Sequence, residues 1–272
     1  MASINTNYGA AIALQNLNKT NSELERTQNR INTGMKVSTA KDSGAIFSIA
    51  TSQRANASAQ DAVRTSLQRG QSIVDVALAA GDTITSALEE MKSLAVSIAS
   101  STGAAKTSYE SEFTALGKEI KSALDGASFD GVNLLTTAST GATEVKVQTG
   151  TGAADTKTVG TTAALSANTD LAKFTAATPA VADFTVANVD LVISAVTTAM
   201  STIGTQSKSI GRSVTFVNKL QDSLEAGVGN LVDADLAKES AKLSALQTKQ
   251  QLGVQALSIA NSSSQVLLSL FR

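Results

Sequence analysis

The sequence predicts a mainly α fold in which long antiparallel helices with a heptad pattern form a terminal coiled coil and a helical rod. A small β-hairpin region is expected in the middle of the chain. Apolar residues recur at alternating steps of four and three at both ends, which is typical of helices that pack along a seam. Only one proline, Pro179, is present to interrupt a helix. Between the helical stretches, polar and apolar residues alternate between glycine-containing turns, as in short paired strands.

The first helix of the predicted fold lies near the start of the chain. Apolar residues recur in it every seven positions: Leu17, Leu24 and Ile31. Gly34 interrupts this pattern and precedes a loop. Asp42 or Ser43 is a suitable N-cap for the next helix, which we predict over residues 44–99.

The second helix carries the longest uninterrupted heptad register in the first half of the chain. Its predicted core positions include Val63, Leu67, Val74, Ile84 and Leu88. Gly70 and Gly81 fall in the same register and predict a close approach of a neighbouring element. A break at residues 100–105 separates this helix from a third one, which we expect to end near Gly126.

The middle of the chain, residues 129–183, has a different pattern. Residues 144–148 alternate between polar and apolar side chains, and residues 157–159 do so weakly. Several glycines separate these short runs, and threonine is frequent. The pattern predicts a β-hairpin with loops.

The last third returns to the helical pattern. Core positions of the fourth long helix are predicted at Ile193, Met200, Ile210, Val217 and Leu224. Glycines within residues 227–235 predict an interruption there. The final helix carries an apolar stripe that includes Leu236, Leu243, Leu246 and Leu257.

The two terminal stripes are interrupted by Asn, Gln and Thr, so each buries little apolar area. A helix of this kind is marginal alone and becomes ordered mainly on association. The two ends can pair within one chain, and they can equally pair with other copies.

Composition excludes several classes of function. The chain has no Cys, no His and no Trp, and 22 basic against 23 acidic residues give it a net charge of −1. Thiolate or imidazole catalysis and the common zinc sites are therefore excluded, and we expect no cofactor. No basic block favours nucleic acid. No apolar run of about 18 residues predicts a membrane span. Residues 1–19 lack the features of a signal peptide, which by itself favours a cytoplasmic protein.

Four motifs in order along the chain resemble those of bacterial flagellins. Residues 2–7 resemble the flagellin N-terminus, and residues 33–42 (TGMKVSTAKD) resemble the family's SG-x-RI-x-SAKD stretch. Residues 129–135 (FDGVNLL) are similar to its FNG-x-x-LL segment, and residues 251–261 (QLGVQALSIAN) to its Q-x-G-x-x-x-L-x-x-AN signature. The resemblance covers about residues 1–135 and 190–272.

The resemblance implies a structural subunit that self-assembles into the extracellular flagellar filament for swimming. It implies export in an unfolded state through the flagellar type III apparatus, without a cleaved signal peptide. It also implies an inner-tube domain formed by residues 1–33 and 236–272 and a helical rod domain formed by residues 34–135 and 186–235. Residues 136–185 are then a short variable region, with no large outer domain.

The same resemblance implies partners and contact residues. The partners are further copies of the chain, an export chaperone on the C-terminal helix, the filament cap and the hook-junction proteins. We assign contact between subunits to the terminal seams: Leu17, Leu24, Ile31, Leu236, Leu243, Leu246 and Leu257. The second and fourth long helices are expected to form the subunit's own core.

One segment departs from the family. Flagellins sensed by the vertebrate Toll-like flagellin receptor carry L-Q-R-V-R-E-L-A-V where residues 88–96 read LEEMKSLAV. Glu90 therefore replaces an Arg, whereas Leu94 is retained and Glu112 matches a further receptor-contacting Glu. Loss of a cation that forms charge-assisted hydrogen bonds costs about 1.5–3 kcal/mol, so we expect weak sensing. Alternatively, Glu89 and Glu90 only form a solvated face.

Flagellins often carry O-linked sugars, and Thr137, Thr140 and Thr143 are the candidate sites. Uncharged threonines are equally ordinary residues of a hairpin and its loops. Some flagellins contain a metalloprotease, which needs two His residues that this chain lacks, so we expect no enzyme. Two other functions stay open: a hook–filament junction protein of the same superfamily, and a monomeric coiled-coil scaffold.

Overall fold

The computed structural model describes residues 7–140 and 144–269, with side chains described up to residue 262. Most of this part of the chain is helical. The helices are α1 (Tyr8–Thr33), α2 (Gly44–Ser100), α3 (Gly103–Gly126), α4 (Thr169–Thr175), α5 (Val186–Val232) and α6 (Leu236–Ser269). Two strands, β1 (Val145–Gln148) and β2 (Thr156–Val159), form an antiparallel hairpin in which Val145 pairs with Val159. The predicted mainly α fold with a small central hairpin is confirmed.

The break predicted within residues 227–235 is confirmed, but it is confined to residues 233–235 and is shorter than predicted. Helix α5 continues past Gly227 and Gly229 and ends at Val232. Val228 and Val232 are buried in a small apolar cluster with Val37 and Ala50, and this packing outweighs the low helix propensity of glycine. The break at residues 100–105 is also shorter than predicted, because α3 already begins at Gly103.

Helix α4 was not predicted from the sequence. The side chain of Asn168 caps it and accepts hydrogen bonds from the amides of Asp170 and Leu171 at 3.0 and 2.9 Å. Leu171 and Phe174 anchor it in the core. Seven residues are too few to show a helical periodicity.

The chain divides into two compact units. The terminal unit comprises residues 1–55 and 223–272, and the central unit comprises residues 56–222. These boundaries differ from the domain ranges expected from the resemblance, which remain a prediction.

The central unit has one continuous apolar core. Most of the predicted rod-core residues are buried in it: Val63, Leu67, Val74, Ile84, Leu88, Ile210 and Val217. Ile193 and Met200 are partly buried against the same core, whereas Leu224 belongs to the terminal unit and is half-buried there. An aromatic cluster closes the core, with the Phe113 ring stacked on Phe184 at 4.3 Å and edge-on to Phe174 at 5.4 Å.

Gly70 and Gly81 of α2 lie where neighbouring side chains approach the helix backbone. A Cβ at Gly70 would lie 2.5 Å from Val147 Cγ2, and a Cβ at Gly81 would overlap the Met200 side chain. Because these two glycines have no side chain, Val147 of the hairpin and Met200 of α5 can pack close to the backbone of α2. Their place in the heptad register predicts such a close approach.

Within the described residues, α5 is the one helix that is long and apolar enough to cross a membrane by composition. Its apolar residues Val189, Val192, Val196 and Ile203 are fully buried in the central core. Burial in the core accounts for these four residues, whereas the 18-residue apolar window as a whole is 22% buried.

Candidate assembly surface

Helices α1 and α6 pack against each other in an antiparallel pair within the terminal unit. Near one end of the pair, the Asn7 side chain donates a hydrogen bond to the Ala260 carbonyl at 2.7 Å. Near the other end, Arg30 Nη1 lies 3.0 Å from Glu239 Oε1. The two ends of the chain, distant in sequence, therefore form one structural element.

Backbone hydrogen bonds fix where this pair begins. Gly34 ends α1 in a left-handed conformation with φ of 68°, which glycine adopts without strain. Its carbonyl accepts a hydrogen bond from the Ala234 amide at 2.9 Å, and the Lys36 amide donates to the Val232 carbonyl at 2.6 Å. The segment after α1 thus pairs with the turn between α5 and α6.

The loop before α2 is organised by Asp42. Its carboxylate accepts hydrogen bonds from the backbone amides and hydroxyls of Ser38 and Thr39 at 3.2–3.3 Å. Ser43 Oγ accepts from the Ile46 amide at 3.4 Å and is the N-cap of α2. Of the two residues expected to cap this helix, Ser43 has that role and Asp42 instead closes the loop.

The pKa of Asp42 lies below its ordinary value, chiefly because the Thr39 amide donates to the carboxylate. A carboxyl group whose pKa is lowered by folding stabilises the folded state above its unfolded pKa, and this contribution is lost as the pH falls through the folded pKa. We therefore expect the protection factors of the Ser38 and Thr39 amides, which compare each measured exchange rate with the intrinsic rate at the same pH, to be high at pH 7 and to fall once the pH drops below the ordinary pKa of a carboxyl group, about 4. Amide hydrogen exchange measures this. In an Asp42→Asn control the protection should not depend on pH over that range, and an equal pH dependence in the variant would contradict the assignment.

Most of the residues assigned to the terminal seams lie at the contact between α1 and α6 of the same chain. Half-buried there are Leu17, Leu24, Ile31, Leu243 and Leu257, and Leu246 is 3% exposed. Leu236 is the exception, because it is 50% exposed. Contact of these residues with other subunits remains a prediction.

A second set of apolar residues on the same two helices was not predicted from the sequence. The set is exposed by 43–79% and consists of Tyr8, Ile12, Leu14, Leu252, Val254 and Ile259. We call it the exposed terminal set. The heptad pattern could have revealed these residues, because they are large apolar side chains outside the seam positions. Exposed apolar residues of this size on one element are candidates for contact with a partner.

Comparison with known proteins identifies the family. Residues 4–140 match the model of the bacterial flagellin N-terminal helical region, and residues 186–271 match that of the C-terminal helical region. The flagellin FljK of Caulobacter vibrioides is 52% identical over 273 residues, covering 99% of this chain and 98% of that protein. A flagellin of Brucella melitensis is 42% identical over the full length of both chains, and flagellin C of Rhizobium meliloti is 34% identical over the full length of both. The chain belongs to the bacterial flagellin family.

As a flagellin, the chain is a structural subunit of the extracellular flagellar filament and is not an enzyme. Self-assembly and export through the flagellar type III apparatus are general properties of the family. The junction protein and the monomeric scaffold are not favoured.

The other residues singled out in this flagellin lie in the central unit. Glu90 and Glu112 are exposed, and Leu94 is partly buried against the core. Thr137 is half-buried and Thr140 is exposed, whereas Thr143 lies outside the described residues. Within the described part of the chain, acidic side chains do not form a group that could hold a metal ion.

Proposed function

We propose that the paired helices α1 and α6 form the inner tube of the filament and that copies of this flagellin contact one another there. The exposed terminal set carries this proposal, because burying a large aliphatic side chain contributes about 1.5–3 kcal/mol. The other seam residues support assembly by holding α1 and α6 together. Leu236 is the exception, because its side chain is exposed and can contact another subunit directly. The rod domain of residues 34–135 and 186–235 then surrounds the tube, with residues 136–185 outside it.

The test compares polymerisation of the full chain with that of a chain lacking residues 1–33. After seeding, we expect long filaments by negative-stain electron microscopy from the full chain alone. Short rings from the full chain would favour the junction protein. Monodisperse particles from both chains would favour the monomeric scaffold.

A pair of point variants tests the exposed terminal set directly. Val254→Ser should raise the critical concentration for polymerisation about tenfold, which corresponds to about 1.4 kcal/mol per contact. Val181→Ser is the matched control, because Val181 is 46% exposed, close to the 54% of Val254, and lies in the proposed outer region. Equal effects of the two variants would contradict the proposed location of the contact.

We also propose the further partners that membership of the flagellin family implies. An export chaperone binds the C-terminal helix before assembly, and the cap and hook-junction proteins contact the last and first subunits. A complex with the chaperone should form with the full chain and be lost when residues 236–272 are removed.

The exported chain should keep residues 2–19, which N-terminal sequencing of filament protein tests.

We propose weak sensing by the Toll-like flagellin receptor because Glu90 presents an exposed carboxylate where sensed flagellins carry Arg. Glu90→Arg should increase potency in a receptor reporter assay about tenfold or more, as expected for a restored charged hydrogen bond. Glu89→Arg, a change of the same charge at the neighbouring exposed position, is the control. Full potency of the unchanged chain would refute the proposal.

O-linked sugars on Thr137, Thr140 or Thr143 remain a proposal. Thr140 is the most accessible of the two described candidates. Peptide mass spectrometry of filament protein from the native bacterium tests all three sites.

A further inference from the structure

The seam of α6 contains polar residues at positions where a coiled coil usually carries apolar ones. Up to residue 262, the positions that α6 buries or half-buries follow steps of four and three: Glu239, Leu243, Leu246, Gln250, Gly253, Leu257 and Ala260. Glu239 and Gln250 are therefore seam residues. Polar residues at such positions weaken a coiled coil and specify its register.

Each of these polar seam residues meets a polar partner on α1. Gln250 Nε2 donates to Asn21 Oδ1 at 2.9 Å, and Arg30 Nη1 donates to Glu239 Oε1 at 3.0 Å. Gly253 meets Leu17, whose Cδ1 would lie 3.2 Å from a Cβ at Gly253. Polar residues face polar ones and a large residue faces a small one, all in a single antiparallel register.

A shift of the pair by one heptad destroys this matching in either direction. One shift brings Glu239 to the level of Glu23 and Gln250 to the level of Leu14. The opposite shift brings Arg30 to the level of Leu246 and carries Glu239 past the end of α1. A buried polar group that loses its partner bears its full desolvation cost, so both shifted registers are penalised.

The Arg30–Glu239 ion pair by itself is expected to contribute little to the stability of the α1–α6 pair. Arg30 and Glu239 have side chains only 19% and 12% exposed. In the described part of the chain, Arg30 Nε and Glu239 Oε2 are buried without a hydrogen-bond partner. A half-satisfied buried ion pair contributes little net stability, and its best-attested role is the specification of register.

We propose that the Asn21–Gln250 and Arg30–Glu239 pairs determine the register in which α1 and α6 pair. By doing so they select the α6 of the same chain over shifted pairings, within that chain or with a neighbouring copy. The proposal concerns the pairing inside the terminal unit and builds on the proposed assembly through this unit.

Because the chain has no Cys, engineered cysteines report the register without background. Leu17→Cys with Gly253→Cys reports the observed register. Leu17→Cys with Leu246→Cys reports the heptad-shifted one, since seven helical residues span about 10 Å, beyond the reach of a disulfide. Filaments are oxidised and analysed on denaturing gels, where a disulfide within one chain keeps the monomer mass and one between chains doubles it.

In the otherwise unchanged chain we expect only the in-register disulfide, within one chain. Replacing all four polar residues by leucine (Asn21→Leu, Gln250→Leu, Arg30→Leu and Glu239→Leu) should raise the yield of the shifted or interchain disulfide about tenfold. Lys121→Leu with Asp125→Leu, which removes an exposed ion pair of the central unit, is the control and should leave the pattern unchanged.

An exclusive in-register disulfide in filaments of the four-leucine chain would overturn the proposal, because the apolar seam would then suffice to fix the register. If that chain does not polymerise, Arg30→Glu with Glu239→Arg decides the question. The swapped pair should retain the in-register disulfide, and a shifted one would refute the proposal. Absence of filaments from the unsubstituted chain would instead contradict the proposed function.

Discussion

Phe113→Ala is expected to lower the free energy of unfolding of the monomer by about 3–5 kcal/mol, the range for removing a buried aromatic side chain. Phe113 is 1% exposed and contacts the rings of Phe174 and Phe184. The substitution removes both ring contacts and leaves a cavity between α3, α4 and the segment that precedes α5.

Urea denaturation followed by circular dichroism measures this change. Phe216→Ala is the matched control, because Phe216 also lies in the central unit but is 63% exposed. A surface substitution of this kind changes stability by no more than about 0.5 kcal/mol. Comparable losses in the two variants would contradict the assignment of Phe113 to the core.

Gly117→Ala is expected to destabilise the central unit by about 1–3 kcal/mol, although alanine favours a helix more than glycine does. A Cβ at Gly117 would overlap the carbonyl oxygen of Phe174. This oxygen belongs to the backbone of α4, so the overlap is relieved only by moving that helix, which carries the buried Leu171. Overpacking of a close contact has a cost in this range.

Gly211→Ala is the control with the opposite expected sign. No heavy atom lies within 4 Å of a Cβ at Gly211, so the alanine retains only its helix-propensity advantage of about 1 kcal/mol. Thermal unfolding of the two variants should therefore move in opposite directions. A stabilising Gly117→Ala would show that α4 does not pack on α3 at this point.

Local patterns predicted the helices well where the period was long. The heptad register of α2 is uninterrupted, and the observed helix, Gly44–Ser100, ends one residue beyond the prediction. Patterns placed the start of a break too early where tertiary packing opposed local preference, as at Gly227 in α5, and they failed where an element was too short to be periodic, as in α4.

The candidate assembly surface on α1 and α6 was predicted only in part, because local patterns do not specify which helices meet. The spacing of Leu17, Leu24 and Ile31 indicates a seam but does not say whether the facing helix belongs to the same chain. The structure places α6 of the same chain there, and this pairing leaves Ile12 and Ile259 exposed.

The family, the mainly α class and the heptad seams can be predicted without a structure, because they depend on periodicity and motifs within short stretches of chain. The tertiary structure alone decided which residues meet across the seam, as Gln250 meets Asn21 and Gly253 meets Leu17. It also decided that Gln206 binds both the amide and the carbonyl of Gly160, at the end of the hairpin. Such contacts join residues far apart in the chain. Their register depends on the packing of whole elements, which no local pattern contains.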